Sequence, residues 1–104
     1  MAWTILIFAG VLEVVWLVAL RHSESFARPA YSVLSVVIAW LSFLLLALAL
    51  RTIPAGTAYA VWTGVGAAGS AIAGILLFGE SREAIRLLFI GLIVAGVVGL
   101  KLTQ

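Results

Sequence analysis

A single carboxylate, Glu13, stands in the middle of an apolar run from Ala2 to Leu20. Thr4 is the only other residue to interrupt its apolar character. At a rise of about 1.5 Å per residue, a helix over this run crosses a hydrocarbon core of roughly 30 Å. An acid at that depth costs on the order of 2.5–3.5 kcal/mol on insertion scales. A chain that keeps one is expected to use it, for an ion, a proton or a charged substrate. The bland alternative is a protonated, silent side chain, and the insertion cost counts against it. No Lys, Arg or His lies in the apolar interior of another segment to pair with Glu13.

Three more apolar segments follow. Only 10% of the 104 residues are charged, against about 25% in a typical soluble domain. The expected fold is an all-α membrane protein, a single domain over residues 1–104. Its four transmembrane helices are expected at about residues 2–20, 30–50, 57–78 and 84–100. The first segment has no basic region before Trp3 and no small-residue cleavage site, so it reads as a span and not as a signal peptide. Cysteine is absent and His22, in a loop, is the only histidine. No disulfide, metal site or cofactor is therefore expected. The small net charge of +2 sits mainly in loops and points to orientation signals, not to nucleic acid.

Pro29 suits the first turn of the second helix, where its missing N–H goes unused. Ser35, Ala39, Ser42 and Ala49 share a face of that helix, and small residues allow close approach in lipid. In the third segment Tyr59, Trp62, Thr63, Gly66 and Ala73 fall on or near one face. Its glycines, Gly64 and Gly66 above all, admit two uses: a bend or close packing. Gly91 and Gly96 give the fourth segment small-residue surfaces, and mark it as an assembly element with no chemistry of its own.

Arg51 and Lys101 share one side of the expected topology, and Arg21, Arg28, Arg82 and Arg86 share the other. A bias this small is a weak positive-inside signal, so insertion in both directions is expected to be open to the chain. Four short helices do not easily enclose a polar path, yet Glu13 needs a protein-lined or watery cavity. A homodimer supplies one. If its copies are antiparallel, it forms the inverted repeat that many transporters encode in one chain. The site then holds two carboxylates at the midplane, titrating as a coupled pair.

Two stretches, Gly10-x-x-Glu13-x-x-Trp16 and the run from Gly56 through Trp62-Thr63-Gly64 to Gly66, closely resemble the small multidrug resistance family. Length, four helices and the late Gly79-Glu80 also match, so the resemblance covers nearly the whole chain. Within the family, Trp16, the Trp62-Thr63-Gly64 run and Lys101 are similar to the guanidinium-exporting branch. The resemblance implies an antiparallel, dual-topology homodimer in a bacterial inner membrane. It implies export of guanidinium and small guanidinyl compounds in exchange for protons, by alternating access. It also implies roles for particular residues. Glu13 would bind substrate and protons in competition, with Gly10, Trp16, Ser42, Tyr59 and Trp62 lining the site or holding its carboxylates. Gly64 and Gly66 would be the hinge, and the fourth helix, with Gly91 and Gly96, the dimer contact. Arg21-His22 and Leu17 depart from the usual family residues, and Leu17 would narrow the site.

The chemistry agrees with that implication. Guanidinium presents N–H donors in a planar fork that a carboxylate accepts in bidentate fashion. Ser42, Tyr59 and the Trp16 N–H are candidates to orient Glu13, and Trp62 to offer an aromatic face to a cation. An exporter of quaternary ammonium or hydrophobic cations would use the same Glu13 in a looser site. A non-transporting membrane assembly subunit would use only the glycine-rich surfaces. An ion channel fits a tight dimer less well, and no nucleophile–base pair points to an enzyme.

Overall fold

The computed structural model describes residues 1–103, and helices account for most of them. The helices are α1 (Ala2–His22), α2 (Pro29–Ala49), α3 (Ala55–Leu77) and α4 (Ala84–Leu102). All four are long and apolar enough to cross a membrane. Apolar residues dominate each of them on every side, as suits helices surrounded largely by lipid.

The helix ends follow from their residues. Arg21 and His22 occupy the last turn of α1, where the charge of Arg21 meets the negative end of the helix dipole. That helix accordingly runs to His22, past the expected end near Leu20. Lys101 does the same for α4, which continues to Leu102. Pro29 takes the first position of α2. The α2–α3 connection covers residues 50–54, two residues earlier than Thr52–Gly56, because Pro54 serves as the N-cap of α3 and Gly56 already lies in its first turn.

The α1–α2 loop turns through Glu24, Ser25 and Phe26, all at positive φ (51°, 61° and 69°). Such backbone costs about 1–3 kcal/mol per residue and persists only where its surroundings fix it. Buried Ser23 supplies that fixing. Its hydroxyl donates to the Leu20 carbonyl at 2.6 Å and accepts the Phe26 N–H at 3.1 Å, while its carbonyl accepts the Arg28 N–H at 2.9 Å. At the α3–α4 turn, Gly79 takes φ +65°. The Glu80 carboxylate folds back over Gly74 and pairs with Arg86.

The helices form a slab of 42 × 35 × 17 Å, not a closed bundle. Helix α1 packs between α2 and α3, and α4 packs on α3. Leu6, Ala9, Leu46, Ala49, Ile53, Ala58, Val61 and Trp62 form the core where α1, α2 and α3 meet. The buried positions of α2 include Ser35, Ser42 and Ala49, seven residues apart, so its small-residue face is the one turned to the protein. Between α1 and α3 the seating is tighter still. A Cβ on Gly10 would lie 2.7 Å from the Val65 Cβ, and one on Gly66 would lie 3.0 Å from the Glu13 Cβ. Ile90 alone is buried in α4.

Candidate functional site

Glu13 is half-buried on α1, on the side where Gly66 of α3 comes against its stem. Trp16, three residues on along α1, donates its indole N–H to Glu13 Oε1 at 2.6 Å. From α2, the Ser42 hydroxyl lies 3.4 Å from the same oxygen. Both contacts fall on Oε1, and Oε2 has no hydrogen bond among the described residues. One oxygen is therefore anchored while the other has no partner among the described residues. No salt bridge to Glu13 occurs among the described residues; the ion pairs, Arg28–Glu24 and Arg86–Glu80, lie in the loops and helix starts at one end of the slab.

Ser42 is completely buried and has partners besides the Glu13 carboxylate. Its hydroxyl has one proton. The shorter bond, 2.8 Å, goes to the carbonyl of Ala9, one turn before Glu13. The Trp62 indole N–H donates to the same hydroxyl at 2.9 Å. A chain of contacts thus runs from α3 through α2 to the backbone of α1, and ends beside the carboxylate. Ala9 was not among the candidate residues. Its position four residues before Glu13 and its small side chain are the signal that Ser42 could reach its carbonyl.

Trp62 was expected to show its ring face to a cation. The structure buries the ring to 6% exposure and packs it, tilted, against Phe43 at 5.3 Å and Tyr59 at 5.7 Å between centroids. Its burial follows from position, since it shares the α1–α2–α3 core. Tyr59 is 59% exposed, and its phenol bonds to nothing among the described residues. Its ring packs against that of Trp62. Phe43 is the aromatic neighbour that sequence reasoning missed; it follows Ser42 directly but falls on no small-residue face.

Gly10 and Gly66 bound the carboxylate as packing residues. Gly64 faces the other way, toward α4, where a Cβ would lie 2.6 Å from Val97 Cγ2. Helix α3 runs unbroken through both Gly64 and Gly66. Of the two uses open to these glycines, close packing is the one with contacts behind it. Gly91 and Gly96 meet nothing: a Cβ on either has no neighbour within 4 Å. An apolar groove of about 600 Å³ runs between α1 and α4, lined among others by Trp3, Phe8, Val11 and Val98. It does not include Glu13, and its only charge is Lys101, whose ammonium lies 4.9 Å over the Trp3 ring.

Fold and site together define a small multi-pass membrane protein with one carboxylate held among its helices and no cation of its own beside it. The sequence profile described as Small Multidrug Resistance protein matches residues 1–93, and the chain belongs to that family. A protein named guanidinium exporter in Yersinia pseudotuberculosis is 54% identical over 104 residues, covering 100% of both chains. One of the same name in Salmonella typhimurium is 53% identical, covering 99% of this chain and 98% of its own. Another in Citrobacter freundii is 52% identical over the same extent.

Proposed function

We propose that this protein exports guanidinium and small guanidinyl compounds across a bacterial inner membrane in exchange for protons. The observation that carries the proposal is Glu13: an unpaired carboxylate at membrane depth, tethered at Oε1 and open at Oε2. A planar guanidinium can bridge both oxygens only where the carboxylate plane is held, and Trp16 holds it. The names of the full-length relatives support the substrate class.

The working unit in this proposal is an antiparallel homodimer. Support comes from the flat, open slab and from α4, whose glycines lie bare in the single chain. Two slabs facing each other would enclose a pair of Glu13 side chains, with exposed Tyr59 turned toward the shared chamber. Alternating access would then move one slab relative to the other, with Gly64 and Gly66 the points at which α3 changes shape. Each Glu13 binds either a proton or the substrate cation, and that exclusion couples the two flows.

The experiment is uptake by purified protein in liposomes. Guanidinium added on one side should drive protons toward it, and Glu13→Gln should abolish both movements. Guanidinium movement with no accompanying proton flux would refute exchange. Absence of any transport by the unsubstituted protein would favour an assembly subunit instead.

A further inference from the structure

The end of the molecule formed by the α1–α2 loop and the C-terminus of α3 carries a second polar concavity, remote in role from Glu13. It has a volume of about 290 Å³ and is lined by Arg21, His22, Glu24, Arg28 and Phe78. Arg21 and His22 close α1, Arg28 precedes α2, and Phe78 caps α3. These are ends of membrane-spanning helices, so the concavity lies at headgroup depth.

Its cations are held in place before any ligand arrives. The Arg21 guanidinium lies over the Phe78 ring at 4.7 Å from the centroid. A guanidinium resting on an aromatic face keeps the N–H donors on its edge free for an anion. No carboxylate pairs with Arg21 among the described residues. Arg28 lies 6.0 Å over the Tyr31 ring and meets Glu24 at 3.2 Å. That pair is more than half exposed on both sides and is weak enough for a competing anion to displace. His22 packs between Tyr31 and Phe78, and its Nδ1 lies 2.9 Å from the Val18 carbonyl. The contact sets Nδ1 as the donor and fixes the ring as a wall of the site.

The geometry points to a binding site for a phosphate group, that of an anionic phospholipid, gripped by Arg21 and Arg28 on the platform of Phe78 and Tyr31. Arginine forks match phosphate oxygens, and anionic headgroups are concentrated at this depth. A lipid so held would brace the strained Glu24–Phe26 turn and fix the ends of α1 and α3, the two helices that clasp Glu13. The site does not depend on what the protein transports.

The test is a lipid titration of purified protein in mixed micelles, with bound lipid counted by native mass spectrometry. Phosphatidylglycerol is compared with phosphatidylcholine of the same acyl chains, and with inorganic phosphate as the free anion. Phosphatidylglycerol should bind preferentially. Arg21→Gln should weaken it about tenfold, the effect of losing one charge-assisted hydrogen bond. Phe78→Leu should weaken it in the same direction, and covers the case in which Arg21→Gln does not fold. Arg82→Gln removes the same charge from the exposed α3–α4 loop at the same end, outside the concavity, and should change affinity by less than twofold. Equal losses in Arg82→Gln and Arg21→Gln would show diffuse attraction and overturn the site, as would unchanged affinity in Phe78→Leu. Equal binding of phosphatidylcholine would overturn it too. Binding of inorganic phosphate that excludes phosphatidylglycerol would overturn the lipid assignment in favour of a soluble anion.

Discussion

The indole N–H of Trp62 donates to the hydroxyl of Ser42 at 2.9 Å, with both groups buried. That bond decides what Ser42 can do. With Trp62 donating to its oxygen, the hydroxyl points its one proton at the Ala9 carbonyl or at Glu13, 2.8 and 3.4 Å away. Ser42→Ala removes the acceptor of Trp62 and leaves a buried N–H unpaired, a loss of about 1–3 kcal/mol. Trp62→Phe removes the donor and leaves Ser42 with its other partners. Ser42→Ala should therefore be the less stable protein in thermal unfolding. It should also lose guanidinium transport by a larger factor than tetraalkylammonium transport, because the bidentate cation needs the carboxylate plane fixed. An unchanged ratio of the two cations would rule out orientation as the source of selectivity.

Glu13→Gln keeps the size of the side chain and its bond from Trp16 while removing the charge. The fold and the proposed dimer should persist in size-exclusion chromatography, and coupled transport should vanish. Glu13→Asp retains an acid on a shorter stem. The carboxylate then draws back from the Trp16 N–H, now 2.6 Å from Oε1, and transport should persist at a reduced rate with a displaced pH profile. Proton-driven guanidinium flux in Glu13→Gln would remove Glu13 from the mechanism.

Protons and substrate should compete. If guanidinium binds the ionised carboxylate, as proposed, a protonated one offers it a donor in place of an acceptor. Apparent affinity should thus fall as pH falls, and substrate binding should release protons into weakly buffered solution. Isothermal titration in two buffers of different ionisation enthalpy measures that release directly. Equal heats in both buffers, with affinity constant across pH, would place binding elsewhere.

Much of this architecture was legible in the residues. Four apolar runs of span length leave few alternatives, and an unpaired acid inside one of them advertises itself through its insertion cost. The small-residue face of α2 was also readable, since Ser35, Ser42 and Ala49 recur every seven residues and are buried, with Ala39 half-buried and Leu46 buried beside them. What stayed hidden was which partner each polar group would choose. Ser42 was placed near Glu13 correctly, but only packing reveals that the nearer acceptor is the Ala9 carbonyl. Trp62 was read as a cation platform because an aromatic ring near an acid suggests one. Its burial depends on how closely α1 and α3 approach, which is set by Gly10 and Gly66 meeting Val65 and Glu13 across the interface. One chain's pattern does not display such pairings.

The weak charge bias yields a prediction about topology. Adding two or three Lys residues near Arg51 should drive one orientation, read by cysteine labelling from each side of the membrane. Alone, such a protein should lose transport. Co-expression with a variant biased the other way should restore it. Full activity from one fixed orientation would contradict an antiparallel pair.

Two sets of glycines should respond in opposite ways. A Cβ on Gly10 would come 2.7 Å from two atoms of Val65, close to the α3 backbone, so neither can rotate away cheaply. Overpacking of this kind costs about 1–3 kcal/mol. Gly10→Ala should lower the melting temperature, part α1 from α3 and loosen the seat of Glu13, reducing guanidinium affinity as well. On Gly91 and Gly96 a Cβ meets nothing within the chain. Alanine there should leave the protomer at least as stable as before, since the helix interior favours Ala over Gly by about 1 kcal/mol. If these positions face a second α4, a larger side chain blocks the approach of two backbones. Gly91→Leu and Gly96→Leu should then keep full helical content by circular dichroism while shifting the monomer–dimer equilibrium toward monomer, and transport should fall with the dimer fraction. Unfolding of the protomer by either leucine would mean that the substituted face of α4 is packed inside its own chain. An unmoved equilibrium in both variants would place the dimer contact on another helix.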